Sequence, residues 1–498
     1  MTTKIFGPPG SGKTTYLLDT VKQELERGTH STDIGYFAFT RKAAHEARDR
    51  AIEKFPHLNA DLDFPWFRTL HSLAYSCLGV GNKDIMSSAD YTEFAKSVGL
   101  EVSTSTDGND FVIRADNAIL NEINIARIRG EDLHSYYNRS NLEIEWFHFE
   151  YIARSYRKFK ESKMLMDFTD LLELLVQDPE RLPTLQALII DEAQDLSKLQ
   201  WTLVMQLAER AQRTWIAGDD DQAVYIWAGA DVESFLSCEG EIRVLNQSYR
   251  VPSKIHSFAD KIVRRIKRRQ PKGWTPRTEG GEINYYNDFQ QVDISSGQWL
   301  VMASTNYMLN DMHDWIKSQG LLFERHGHKS VSEAILTAVL GWERLRAGKE
   351  INYSMLKQVY RYLGAGTVKR GHKTLKDADP EGTFSMEDLK EKHGLQTEAI
   401  WHEALGKIGE DKRDYLVAVL RRGTKLTAKA PIQLSTIHGA KGGEADNVLL
   451  LTDLSPRFAK EYEYNADSIN RLLYVGVTRT RQALHIVLPK KAERGFRF

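Results

Sequence analysis

The sequence predicts an α/β protein with two domains built on parallel sheets, each carrying a mainly helical insertion. Three observations predict it. Short apolar stretches with strand character recur along the chain, separated by helix-length segments, which is the pattern of βα units. Two long stretches, 80–165 and 341–429, break that rhythm and lack buried strands. A glycine-rich "GPPGSGKT", 7–14, lies between the first strand and the first helix.

Totals set the frame. A chain of 498 residues is too long for one ordinary core. With 41% hydrophobic and 27% charged residues it has a globular composition. Apolar runs such as Ala187–Ile190 are far shorter than the roughly 20 residues that cross a bilayer. "MTTKIFGPPG" has no apolar signal core, so a cytoplasmic, membrane-free protein is expected. Two cysteines, Cys77 and Cys238, fit a reducing compartment and exclude a disulfide framework or a cysteine-based zinc site. The net charge of −1 means that any nucleic-acid site must be local. "KIVRRIKRRQPKGW", 261–274, is the best basic candidate; the ordinary reading of such a run is a solvated helix face.

In order, "TTKIF" (2–6) reads as a strand, followed by a helix over about 12–27 with Leu17, Leu18, Val21 and Leu25 on one side. "DIGYFAFT" (33–40) reads as a strand and "RTLHSLAYSCLG" (68–79) as the start of a helix. The first insertion has a loop-like "STSTDGND" at 103–110. Strands return at 187–190 and 214–218, and 243–250 reads as a strand turning into a helix. "QWLVMAST" (298–305), "IQLST", "NVLLLTDL" and "ALHIVL" (483–488) complete the second sheet. The expected domains are 1–80 with 161–245, its insertion 81–160, then 246–340 with 430–498, and its short insertion 341–429.

"GPPGSGKT" fits G-x-x-x-x-G-K-[ST] in the strand-to-helix context of a P-loop. Backbone N–H groups of Gly7, Gly10, Ser11, Gly12 and Thr15, with the helix N-terminus, suit a chain of phosphates. Lys13 would neutralise the β- and γ-phosphates, and Thr14 would hold Mg²⁺. "ALIIDEAQD" (187–195) is an apolar strand ending in two acids at the crevice end of a sheet. Asp191 would bind Mg²⁺, and Glu192 would orient or deprotonate the attacking water. Together these motifs point to a nucleoside triphosphatase.

With "FAFTRKAAHEARDR", "TLHSLA", "DFTDLL", "IIDEAQDLSKLQ", "GDDDQAVYIWAGA", "LNQSYRVPSKI", "STIHGAKGGEADNVLLL" and "LLYVGVTRTR" following in order, the chain resembles the superfamily 1 DNA helicases of the UvrD/Rep type over residues 5–488. The resemblance implies two RecA-like P-loop motor domains and 3′–5′ movement on single-stranded DNA and single/double-strand junctions. It assigns Gln222 to the γ-phosphate, Tyr249 to the adenine, Arg250 to the γ-phosphate, Glu444 to the ribose and Arg479 to the arginine finger. Tyr225 and Trp227 become a stacking platform for DNA, with Phe39, Thr40, Thr69, His71, Thr436 and His438 as further DNA contacts.

The chain departs from the family pattern in places. No glutamine motif precedes the first strand, which leaves adenine selectivity to Tyr249. Ala303 stands where the family often has arginine, and the second insertion is short. Fewer than twenty residues follow Arg479, so no nuclease domain or long tail is expected there. Two rival readings stay open: an ATP-dependent DNA-binding switch that recruits a partner, and an RNA motor. No protein partner or pathway is legible.

Overall fold

The computed structural model describes residues 1–106, 113–140 and 142–498. The chain divides into two units: Met1–Gly280 with Tyr462–Thr478, and Gly281–Glu461 with Arg479–Phe498.

The first unit is built on a six-stranded sheet of β1 (Thr2–Phe6), β2 (Ile34–Phe37), β3 (Phe67–Arg68), β4 (Leu185–Ile190), β5 (Ala211–Gly218) and β6 (Glu241–Val244). Its order is β3-β2-β4-β5-β1-β6, and every pair is parallel. Alternate residues go to opposite faces, and both faces are covered. Ile5, Tyr36, Ile189 and Ala217 enter one core, which α1 (Lys13–Glu26) joins through Leu17, Leu18 and Val21. Phe6, Leu188, Ile190 and Ile216 enter the other, against the helices Phe168–Gln177 and Lys198–Glu209. Burial on both faces explains why these strands read as unbroken apolar runs.

The first insertion has a core of its own, in which Phe94, Leu120, Ile123, Phe149 and Ile152 pack together. Of the loop-like 103–110, Ser103–Thr106 pairs as an antiparallel strand with Ile113–Asp116, and 107–110 lies outside the described residues. Both strands are short and polar, so no apolar alternation announced them.

Around the P-loop the structure differs from the sequence reading in two further ways. The strand expected over 33–40 ends at Phe37, because Thr40 accepts a hydrogen bond from the Ala43 amide and caps the helix Arg41–Lys54. The stretch 243–250 holds the end of β6 and a second strand, Gln247–Pro252, which pairs with Thr275–Arg277. That two-stranded parallel excursion belongs to the first unit, as does the helix Ala466–Val477. The first unit therefore runs on past residue 245, the boundary read from the sequence.

The second unit has a seven-stranded sheet of β7 (Glu282–Tyr286), β8 (Trp299–Ala303), β9 (Phe323–Arg325), β10 (His328–Lys329), β11 (Ile432–Thr436), β12 (Ala445–Leu451) and β13 (Thr480–Val487). The order is β7-β13-β12-β8-β11-β9-β10, parallel except for the β9–β10 pair. Here the insertion has no separate core: Trp342, Leu356, Val359 and Leu416 pack in one cluster with Val301, Leu434 and Leu449 of the sheet. Among the described residues no helix is long and apolar enough to cross a membrane.

Candidate nucleotide site and nucleic-acid face

The P-loop leaves β1 at Phe6, and the Gly7 amide donates to the Gly218 carbonyl at the end of β5 (2.9 Å). Gly10 and Gly12 both take left-handed φ, 70° and 74°, which glycine adopts without the steric cost of a Cβ. Gly10 has a second reason: a Cβ there would lie 2.3 Å from Cβ of Arg250. Gly12 caps α1, a helix of 14 residues whose free N–H groups and dipole favour an anion. The hydroxyl of Ser11 is buried and has no hydrogen-bond partner among the described residues. An orphan donor in a phosphate-type loop, beside a helix N-terminus and a lysine, fits a polyphosphate.

Lys13 pairs with Glu192 and, at 3.4 Å, with Asp191. Burial works against its charge, but the two carboxylates outweigh burial and hold its pKa above the usual lysine value. Asp191 lies in the turn after β4, where Tyr36 Oη (3.0 Å) and the Glu192 amide (2.8 Å) donate to its carboxylate. Burial pushes the Asp191 carboxyl up, against the pull of Lys13. Glu192 sits at φ 54°, a left-handed conformation that costs a non-glycine residue on the order of 1–3 kcal/mol.

From Glu192 a hydrogen-bonded chain leads to Gln222. Gln194 Nε2 donates to Glu192 Oε2 (2.6 Å), the Asp219 amide donates to Gln194 Oε1 (2.9 Å), and Gln222 Nε2 donates to Asp219 Oδ2 (2.7 Å). Gln194, Asp219 and Gln222 are all buried. Gln194 and Tyr36 were missed as site residues; Gln194 could have been found as the next side chain on the Glu192 turn.

Tyr249 and Arg250 reach the loop along the strand Gln247–Pro252. The Tyr249 amide donates to the Gly10 carbonyl (2.8 Å), and Ser248 Oγ to the Pro9 carbonyl (2.7 Å). The ring of Tyr249 is 71% exposed, an uncovered aromatic beside the phosphate loop. Thr14 is half-buried on the first turn of α1 and Thr15 exposed. Arg479 and Glu444 belong to the second unit. Arg479 is buried and donates to the Gly443 carbonyl (3.4 Å), while Glu444 accepts from Arg481 (2.9 Å).

Most of the basic run 261–274 is solvated, with Lys261, Arg264, Arg265, Lys267 and Arg268 exposed, but Arg269 and Lys272 turn inward. Lys272 is fully enclosed and contacts Asp219 (3.1 Å), Asp220 (2.5 Å) and Asp221 (2.7 Å). Arg269 holds Asp221 in a two-pronged pair, both bonds at 2.8 Å. Arg268 pairs with Glu233, and Arg471 Nε donates to the Asp220 carbonyl (2.8 Å). The three acids of "GDDDQ" are thus neutralised from behind and set the turn that carries Gln222.

The same stretch goes on to the aromatics. A 3₁₀ turn, Asp220–Gln222, is followed by a second, Ile226–Ala228. Tyr225 stacks on Phe39 with ring centroids 5.4 Å apart, and Trp227 is 47% exposed. The other expected DNA contacts have local structural work. The hydroxyls of Thr40 and Thr69 cap helices, and that of Thr436 accepts from the Gly439 amide (3.0 Å). His71 meets the edge of Phe168, and His438 stacks near Phe458 in the second unit.

A parallel sheet whose first strand runs through a glycine loop into a lysine-headed helix, with a strand-end Asp-Glu pair against that lysine, defines a P-loop nucleotide-binding protein. The chain belongs to the UvrD/Rep helicase family. The UvrD/REP helicase N-terminal domain matches residues 1–243 and the UvrD-like helicase C-terminal domain matches 403–491. It is 27% identical over 390 residues to the ATP-dependent DNA helicase PcrA of Bacillus subtilis, covering 71% of this chain and 50% of that protein. The PcrA proteins of Staphylococcus aureus strain Mu50 and Staphylococcus epidermidis are 28% and 29% identical over 320 and 315 residues, each 58% of this chain and 42% of the relative. The chain thus spans about half the length, or less, of these curated relatives. A solved structure described as "The structure of PRRSV helicase" superposes with a TM-score of 0.36 at 10% identity, over 99% of this chain and 53% of that one, a likeness that carries no functional weight.

Proposed function

We propose that this chain is an ATP-dependent translocase on single-stranded DNA that opens duplexes at single/double-strand junctions with 3′–5′ polarity. One observation carries the reading. A single short segment runs from Gln222, wired through Asp219 and Gln194 to Glu192, to the exposed Trp227. A change at the γ-phosphate then has only a few residues to travel before it reaches a ring on which a base can stack.

At the nucleotide, Lys13, the Ser11 hydroxyl and the amides of Gly10, Gly12, Lys13, Thr14 and Thr15 hold the phosphates, the Gly7 amide being taken by the Gly218 carbonyl, and Tyr249 stacks on the base. Thr14 and Asp191 would hold Mg²⁺, which would supply positive charge beside the phosphates. Glu192 accepts the proton of the attacking water, and Gln222 and Arg250 attend the γ-phosphate. Arg479 is assigned the arginine finger and Glu444 the ribose contact. On the DNA side Trp227, Tyr225 and Phe39 stack or support stacking, sequence-tolerantly. Thr40, Thr69, His71, Thr436 and His438 attend phosphates, the threonines through their O–H groups, since each hydroxyl oxygen only accepts in its local bond.

The test is ATP hydrolysis by the purified chain with and without oligothymidylate, in wild type and Trp227→Ala. Stimulation by DNA is expected, with the half-stimulating concentration raised about 5- to 100-fold by the variant, the worth of one base stack. Tailed duplexes then read polarity. Hydrolysis indifferent to DNA would sink the motor reading. Stimulated hydrolysis without unwinding of either tail would favour the partner-recruiting switch.

A further inference from the structure

Three consecutive residues at the end of the insertion helix Ala118–Ile128 engage two pieces of the unit that carries the nucleotide site. Arg127 donates to Asp167 (2.7 Å), Asp170 (2.5 Å) and Glu173 (2.6 and 3.1 Å) at the start of the helix Phe168–Gln177. Lys160, from another insertion helix, joins the same acids at 2.6 and 2.5 Å. Burial raises the Asp167 carboxyl, but Arg127 and Lys160 outweigh burial and hold it far below the usual range. This end of the insertion is therefore anchored by buried, charge-assisted bonds.

The two residues after Arg127 touch the platform. Arg129 Nη2 donates to the carbonyl of Ile226 at 3.0 Å, between Tyr225 and Trp227. Ile128 fills the space in front of Gly229, where a Cβ would lie 2.5 Å from Ile128 Cδ1. Gly229 has φ 96° and ends the turn that carries Trp227. The Ile226–Gly229 turn closes on its own backbone, the Ala228 and Ala230 amides donating to the Tyr225 carbonyl (2.9 and 3.1 Å), and its tryptophan is half in solvent.

We propose that Arg129 and Ile128 are positioning residues for the Trp227 platform, so that the first insertion sets the orientation of the DNA-stacking ring. The proposal rests on the reading of Trp227 as a DNA contact. The anchored Arg127 supplies the fixed point; Arg129 and Ile128 transfer it to the turn. The insertion, which has its own core, then moves as a strut with the platform rather than as a separate appendage.

The experiment compares wild type, Arg129→Ala, Ile128→Ala, Trp227→Ala and Arg129→Ala/Trp227→Ala for ATP hydrolysis against oligothymidylate concentration. Circular dichroism checks folding, and Ile128→Ala stands in if Arg129→Ala is misfolded. Arg129→Ala is expected to raise the half-stimulating DNA concentration about tenfold, the worth of a charged hydrogen bond, with DNA-free hydrolysis unchanged. It is expected to add nothing on top of Trp227→Ala, because both act through one ring. A merely structural role would add to Trp227→Ala, and that additivity would overturn the proposal. A wild-type DNA response in Arg129→Ala and Ile128→Ala, with Trp227→Ala impaired, would overturn it while leaving the motor reading intact. An unimpaired Trp227→Ala would bring down the DNA-contact reading and this inference together.

Discussion

Two buried lysines in the first unit each sit among carboxylates, and they do opposite things. Lys13 meets Asp191 and Glu192, and its side chain keeps 11% of its surface open. Lys272 meets Asp219, Asp220 and Asp221 with nothing left open. Both are held protonated, their carboxylates outweighing burial. The difference is completeness. Around Lys272 the charges close: Arg269 takes up Asp221, the Gln270 amide bonds Asp220, and Arg471 bonds the backbone. Around Lys13 the bonding is incomplete: the Ser11 hydroxyl has no partner among the described residues, and Glu192 is held in a strained turn. A closed charge cluster holds a fold; a cluster left partly open and strained is available for chemistry.

The comparison breaks first at activity. Lys13→Met is expected to cut ATP hydrolysis by at least about 10²–10³-fold, the scale of losing one group that stabilises transition-state charge. Its unfolding midpoint should stay close to wild type, because Glu192 keeps 31% of its side chain open to water and the buried Asp191 keeps its bonds from Tyr36 and the Glu192 amide. Steady-state hydrolysis beside a thermal melt reads both. A large drop in the midpoint would mean that Lys13 is structural after all.

Lys272→Met should do the reverse. Removing one partner from a buried ionic cluster costs about 3–5 kcal/mol, here with Asp219 and Asp220 losing their cation while Asp221 keeps Arg269. Lys272→Met/Asp220→Asn removes one charge of each sign and should recover a good part of that loss in chemical denaturation. If the single variant melts like wild type yet fails to hydrolyse ATP, Lys272 belongs with Lys13 and the contrast between them is false.

The lysines also show what could be read in the chain beforehand. Lys13 was legible because its loop, its helix and the strand-end acids are local patterns with a physical reason for each residue. The parallel sheets and the two insertions followed from apolar runs and their interruption. Lys272 was not legible: its carboxylates lie 51–53 residues away, and a charge run looks alike whether its partners are water, phosphates or buried acids. The same holds for Arg129, whose partner is a backbone carbonyl 97 residues on. Thr40 and Thr69 carry the signal of helix N-caps, serine or threonine ahead of an apolar-periodic run, and the family motif drew attention past it. The first unit extends past residue 245 for the reason Lys272 was hidden, since tertiary charge pairing ties 268–272 and the helix Ala466–Val477 back to "GDDD".

The smallest effect sharpens the contrast through pH. Asp221 faces Arg269 and Lys272, with Asp219, Asp220 and Tyr474 nearby. Burial raises its carboxyl, but the Arg269 pair and the Lys272 charge outweigh burial and leave it below the usual range. A carboxyl lowered by folding contributes stability that is present above the unfolded value, near pH 4, and is lost as pH falls through the folded value. Each pH unit of depression contributes about 1.4 kcal/mol. Asp220 works the other way, since burial raises it and its charge opposes folding. The stability gap between wild type and Asp221→Asn should therefore be constant from about pH 8 to 5 and narrow below about pH 4, as wild type protonates the same carboxyl. Urea unfolding at several pH values measures the gap. A gap that instead widens on acidification would mean that Asp221 is protonated more readily in the folded protein than in the unfolded chain, and that the cluster around Lys272 is as incompletely balanced as the one around Lys13.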